Sequence, residues 1–149
     1  MRRLRPSVIL LALLGSPAWA ASCSVELAAS DRMAYSANLI EVSRSCAEFT
    51  VNLRHEGHLE STLMGHNWVL VRADQQQAAA NAGLLAGMTH GFVRPGDPAV
   101  IAATPVLGGG EAASVSFPVS RLEAGRQYLF FCSFPGHAAL MRGVLRLVD

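Results

Sequence analysis

Apolar positions along this chain fall into short runs, alternating or continuous, and not into long helical stripes. Phe49-Thr50-Val51-Asn52-Leu53 alternates with period two, which predicts a half-buried strand. Trp68-Val69-Leu70-Val71 is continuously apolar and predicts a core strand. Val115-Ser116-Phe117-Pro118-Val119 alternates again. Pro118 cannot donate to a ladder and so marks an edge strand or a strand end. Tyr128-Leu129-Phe130-Phe131 and Val144-Leu145-Arg146-Leu147-Val148 complete the set. The stretch Asp74 to Leu85, rich in Ala, Gln and Leu, predicts the one substantial helix, with Asp74 as N-cap and Gly87 as its stop. Gly and Pro recur from Gly91 through Gly110 and predict a long surface excursion. Many short strands separated by turn formers predict an all-β sandwich or barrel.

The first twenty residues stand apart from this pattern. Arg2, Arg3 and Arg5 precede the apolar run Val8–Leu14, and small residues lead to Ala18-Trp19-Ala20. These features predict a secretory signal peptide over residues 1–20, cleaved after Ala20. The apolar run is far shorter than the ~20 residues that a spanning helix needs. No repeat, linker or composition break follows Ala21, so residues 21–149 read as one domain, long enough for a hydrophobic core.

Charge excludes some functions. The chain has 12 basic and 11 acidic residues, and every basic residue is arginine. Without the three arginines of the leader, 9 basic residues face 11 acidic ones. A slightly acidic domain does not suit nucleic acid, which favours a strongly basic face. No polybasic segment is present for an anionic membrane, so no stable membrane association is expected. The cysteines are Cys23, Cys46 and Cys132. In an oxidising compartment two of the three should pair, leaving one as a free thiol, an intermolecular bridge or a metal thiolate.

The richest chemistry lies in Cys132-Ser133-Phe134-Pro135-Gly136-His137-Ala138-Ala139-Leu140-Met141. One loop after an apolar strand offers a thiolate, an imidazole and a thioether. A trigonal set of two histidines and a cysteine with a weak axial methionine is the composition of blue-copper electron-transfer sites. A second histidine must come from elsewhere, and Met64-Gly65-His66-Asn67-Trp68 supplies it at the start of a core strand. Three other readings compete. Cys132 and Met141 could simply be buried apolar residues. A catalytic Cys–His pair would want a partnered acid and an oxyanion hole, and the loop offers neither. Structural zinc prefers two or more thiolates, and methionine is a poor ligand for it. Ligand type and spacing favour copper.

The strings Met64-Gly65-His66-Asn67-Trp68-Val69-Leu70 and Phe131–Met141 resemble the two ligand segments of the azurins, type 1 blue-copper proteins of the cupredoxin family. Four residues separate Cys132 from His137, and three separate His137 from Met141, as in azurins and unlike plastocyanin-type loops. The likeness extends over residues 21–149 and includes Cys23-Ser24-Val25, Ser45-Cys46, Phe49–Leu53 and Gln127-Tyr128.

The resemblance implies a Greek-key cupredoxin β-sandwich with one inserted helix at about residues 74–85. It implies one copper ion per chain, held by His66, Cys132 and His137, with Met141 as distant axial ligand and the Gly65 carbonyl opposite. Asn67 would tie the two ligand loops together. Cys23 and Cys46 would form the structural disulfide at the end away from copper. Met33, Leu59, Met64, Phe134, Pro135, Ala139 and Leu140 would form an apolar partner patch near the His137 edge. The implied function is a periplasmic one-electron carrier, a monomer and not an enzyme. Its partners would be redox proteins such as a c-type cytochrome, or a periplasmic reductase or dehydrogenase. The alternative, a copper-storage or delivery protein, usually carries Met- or Cys-rich tracts, and this chain has none. A multicopper-enzyme fragment would need a second histidine cluster. Departures from the azurin pattern are Glu56 after His55, where the family usually has Pro, and Ala103 in place of a surface histidine. Glu56 would raise the His55 pKa if the two side chains met. His58 and His90 are expected to be solvated and outside the site.

Overall fold

A computed structural model describes residues 22–149. The signal-peptide reading of residues 1–20, and Ala21 as mature N-terminus, lie outside them. Two sheets pack face to face. One has the order β2-β1-β4-β7, from β1 (Ser24–Ser30), β2 (Ala34–Tyr35), β4 (Glu48–His55) and β7 (Ala112–Pro118). The other has the order β3-β9-β8-β5-β6, from β3 (Leu39–Ser43), β5 (Val69–Arg72), β6 (Val100–Ala103), β8 (Tyr128–Phe131) and β9 (Arg142–Val148). The pairs β1–β4 and β3–β9 are parallel and the rest antiparallel, so the chain crosses between sheets as the expected sandwich requires.

The core lies between the sheets. Leu27, Phe49, Val51, Leu53 and Phe117 from one side meet Ile40, Val42, Leu70, Phe130 and Leu145 from the other. The alternation of Phe49–Leu53 becomes an inward face on β4, extended by buried His55. Pro118 ends the edge strand β7, where its missing N–H costs no ladder bond. The unbroken apolar run Trp68–Val71 has two destinations. Trp68 and Leu70 join the main core, while Val69 and Val71 pack with Phe131 against Ala79 and Ala80 of a covering helix.

That helix, α2 (Gln76–Ala86), differs from expectation at its start. A 3-10 turn at Ala73–Gln75 precedes it, so the N-cap is Gln75 and not Asp74. The Asp74 carboxylate lies 3.6 Å from Arg72 Nε instead. Its end is as expected: Gly87 has φ 71° and donates its N–H to Gly83 O, a cap that a Cβ would oppose. A single turn, α1 (Ser61–Met64), precedes the His66 segment.

The Gly- and Pro-rich stretch from Gly91 to Gly110 is not wholly a surface excursion. It carries β6, and Ala102, Thr104 and Leu107 are buried. Strand β6 is only four residues long and set between turn formers, too short to show a period, which is why it was not expected. Cys23 and Cys46 are disulfide-bonded, with Cα atoms 5.6 Å apart. Closing a loop of this size contributes about 3 kcal/mol. The bridge sits at the Ser24 end of β1, and His66 contacts Ser30 at the other end, on the order of 20 Å away by strand rise.

Candidate metal centre

Two loops at one end of the sandwich build the site. In the first, Gly65 leaves α1 in extended conformation, and His66 and Leu107 exchange main-chain bonds of 3.0 and 2.7 Å. A Cβ at Gly65 would lie 2.4 Å from Ser61 O, 2.5 Å from Val106 Cγ1 and 2.9 Å from Phe134 Cδ2. Glycine is therefore demanded by the packing of this turn. The second loop follows β8 and is closed on itself: Cys132 N donates to Met141 O at 2.9 Å, and Met141 N to His137 O at 2.8 Å.

The loops bring three donors together. Cys132 Sγ lies 3.9 Å from His66 Nδ1 and 3.6 Å from His137 Nδ1, and the three atoms fall within 4.8 Å of one another. All three residues are buried, as is Met141 beside them in the core cluster. The N···S gaps are long for hydrogen bonds, but they match the span of two metal–ligand bonds of about 2.0–2.3 Å meeting at a wide angle. Gly65 O lies 3.8 Å from Sγ. His66 Nε2 donates to Ser30 O at 2.8 Å, which leaves Nδ1 as the free lone pair. Burial pushes the His66 pKa down to about 4, partly offset by the Ser30 carbonyl. Burial also lowers His137. The Cys132 thiol is raised to about 11 by burial, although the main-chain N–H groups of Asn67 and Phe134 favour its thiolate. Two neutral imidazoles and a sulfur thus converge in a dry pocket, a donor set that a soft or borderline cation fits.

The family profile described as "Copper binding proteins, plastocyanin/azurin family" matches residues 21–148. The chain belongs to that family. Azurin of Bordetella pertussis is 51% identical over 140 residues, covering 94% of this chain and 93% of its own. Azurin of Pseudomonas aeruginosa is 48% identical over 147 residues, covering 99% of each chain. A solved structure of azurin iso-2 from Methylomonas sp. strain J superposes with TM-score 0.84 at 50% identity, covering 87% of this chain and 100% of that one.

In this member of the azurin family, Asn67 links the two loops. Its Nδ2 donates to Ser133 Oγ at 2.8 Å and Gly91 O at 3.0 Å, and its Oδ1 accepts from Ser133 N at 2.9 Å. Ser133, Gly91, Ser30 and Tyr35 were not singled out in the sequence. Ser133 alone carried a signal, as a polar residue inside an otherwise apolar loop. The Tyr35 hydroxyl donates to the Asn67 carbonyl. Burial, and then the charge of the Cys132 sulfur, raises its pKa well above the ordinary range, so it remains a donor.

His55 is fully buried and stacks on His66 at 4.5 Å. Its Nδ1 accepts the Gly57 N–H at 3.0 Å, and its Nε2 lies 2.9 Å from Met64 O. Glu56 turns away to Arg54 at 2.7 Å, and the carboxylate nearest His55 is that of Asp31, at 3.8 Å. His58 and His90 are exposed, as expected.

Around the loops, Pro135 and Ala139 are exposed, and Leu59 and Leu140 are exposed by 41% and 70%. Met33, Met64 and Phe134 are half-buried, Phe134 against His137 and Phe92. Leu63 on α1, exposed by 67%, is a further apolar side chain that the sequence reading did not include.

Proposed function

We propose that His66, Cys132 and His137 hold one copper ion per chain as strong ligands, with the Met141 thioether and the Gly65 carbonyl as weak donors. In this reading the protein is a one-electron carrier between redox proteins and not an enzyme. Bound copper supplies the couple between Cu(I) and Cu(II). The chain's own part is to hold the donors still. Loop 132–141 is closed by its own main-chain bonds, His66 is locked by Ser30 and Leu107, and Asn67 ties the two loops. A site that need not rearrange between oxidation states exchanges electrons quickly. The observation that carries this reading is the convergence of one thiol and two Nδ1 atoms, from separate loops, within 4.8 Å.

The partners fitting this reading are a c-type cytochrome, or a periplasmic reductase or dehydrogenase. They would dock on the apolar rim of Leu59, Leu63, Pro135, Ala139 and Leu140, with half-buried Met33, Met64 and Phe134 beneath. Exposed apolar groups suit small, transient encounters. The monomer would work in the periplasm after cleavage behind Ala20, and intact mass of the exported form tests that boundary.

Copper(II) titration of the purified protein tests the centre. One equivalent should give an intense visible band from thiolate-to-copper charge transfer, and Cys132→Ser should remove it while leaving the far-ultraviolet circular dichroism unchanged. A band that survives in Cys132→Ser would overturn the ligand assignment.

A further inference from the structure

Tyr35 ends β2 and places its hydroxyl against the main-chain carbonyl of Asn67, the residue after His66. Its ring meets Phe130 edge-on, with centroids 5.5 Å apart. Phenylalanine would make that contact equally well, so packing does not account for the hydroxyl. The β1–β2 hairpin reaches the same segment twice. Ser30 O, at its other side, accepts from His66 Nε2 at 2.8 Å. Between the two, Met33 holds φ 54°, and its N–H donates to Ser30 O at 3.1 Å. That left-handed backbone is unfavourable for a side-chain-bearing residue and is retained where the surroundings require it. The hairpin is further pinned by Ser36, whose N–H donates to Ala28 O and whose Oγ accepts from Ala28 N.

Asn67 stands at the centre of these bonds. The peptide on its C-terminal side receives the Tyr35 hydroxyl, and its own N–H is among the groups that favour the Cys132 thiolate. Its side chain grips Ser133 at two points, one residue beyond that sulfur. Holding the peptide after Asn67 steadies the Cα that carries both its N–H and its side chain. Hydrogen bonding around the cysteine sulfur tunes the potential of such a centre.

We propose that Tyr35 is a positioning residue of the metal centre: its hydroxyl, acting through Asn67, sets the hydrogen bonds around the Cys132 sulfur and so the reduction potential of bound copper. This rests on the copper reading above. Tyr35→Phe removes one oxygen and keeps the ring. In the copper-loaded variant the blue band should persist. The equilibrium constant for electron exchange with a c-type cytochrome of fixed potential should change by roughly two- to fivefold, a fraction of one buried hydrogen bond. The Ser133 amide signal in the nitrogen-15 spectrum should move in both the metal-free and the copper(I) forms. Phe130→Leu, which loosens the packing beside Tyr35, should lower thermal stability and leave that constant in place. An unchanged constant with an unmoved Ser133 signal in Tyr35→Phe would overturn the proposal, as would an equal shift from Phe130→Leu. Wild-type protein without a blue band would defeat the copper reading instead, and the metal-free Ser133 signal would still decide the role of the hydroxyl.

Discussion

Asn67 and Ser133, 66 residues apart in sequence, hold each other by two bonds: Asn67 Oδ1 accepts the Ser133 N–H at 2.9 Å, and Asn67 Nδ2 donates to Ser133 Oγ at 2.8 Å. This clasp joins the loop that carries His66 to the loop that carries Cys132, His137 and Met141. Asn67→Leu strips both bonds and leaves the Ser133 N–H buried without a partner. Denaturant unfolding of the metal-free variant should show a loss of about 2–4 kcal/mol. Copper should bind 10- to 100-fold more weakly, by the usual effect of removing a group that orients ligands. Wild-type affinity in Asn67→Leu would mean that the loops align without it.

Met141, the proposed axial donor, is also a core residue, 1% exposed within the main apolar cluster. Met141→Ala should therefore retain the blue band with an altered potential, because an axial thioether contributes weakly. The same variant should be about 2–5 kcal/mol less stable when metal-free, from the cavity it opens. A colourless Met141→Ala would assign the thioether a stronger role.

Proton uptake follows from the shifted groups. In the metal-free protein His66 falls from 6.5 to about 4 and Cys132 rises from 9.0 to about 11. Near pH 7.5 both ligand histidines are neutral and the thiol is protonated, so each copper bound should release close to one proton in a weakly buffered titration. The same shifts set the stability profile. Between pH 4 and 6.5 the unfolded chain binds more protons than the folded one at His66, so stability rises with pH there. Between pH 9 and 11 the folded chain holds the Cys132 proton longer, so stability falls as pH rises. Denaturant midpoints across pH should trace that plateau, and Cys132→Ser should flatten the slope that begins near pH 9, while Tyr35, raised well above its ordinary 10.0, keeps a slope at higher pH.

Charges on the exposed rim should slow partner encounter without touching the ligands. Leu140 and Ala139 are the cleaner sites, because Met64 is half-buried and its carbonyl is engaged by His55. Leu140→Asp and Ala139→Asp should each lower the second-order rate with a c-type cytochrome, and self-exchange, by roughly tenfold, the equivalent of desolvating a charge by about 1.4 kcal/mol. Met64→Lys should act in the same direction. Stopped-flow traces at wild-type speed with an unchanged spectrum would move the docking face elsewhere.

Period-two alternation was enough to place Phe49, Val51 and Leu53 on one inward face, because a strand covered on one side writes its burial into its own sequence. The ligand loop was legible for a related reason: Cys132, His137 and Met141 are close along the chain, and their chemistry is uncommon together. Gly87 announced the helix stop by the backbone it alone adopts easily. Other features have no local expression. Strand β6 hides among glycines and prolines, and its Ala102 is buried only because the strand pairs with β5. Asp74 looked like a cap, yet the 3-10 turn that joins β5 to α2 passed that position to Gln75. Glu56 is adjacent to His55 in sequence but pairs with Arg54, while Asp31, 24 residues away, lies nearer to the ring. Ser30, Tyr35, Gly91 and Ser133 hold the site through main-chain atoms or a hydroxyl, groups that many residues share and that no motif marks. The sequence by itself determined which atoms can bind the metal. Only the tertiary structure decided what holds them in place, because hydrogen bonds between distant segments exist only once the two sheets have packed.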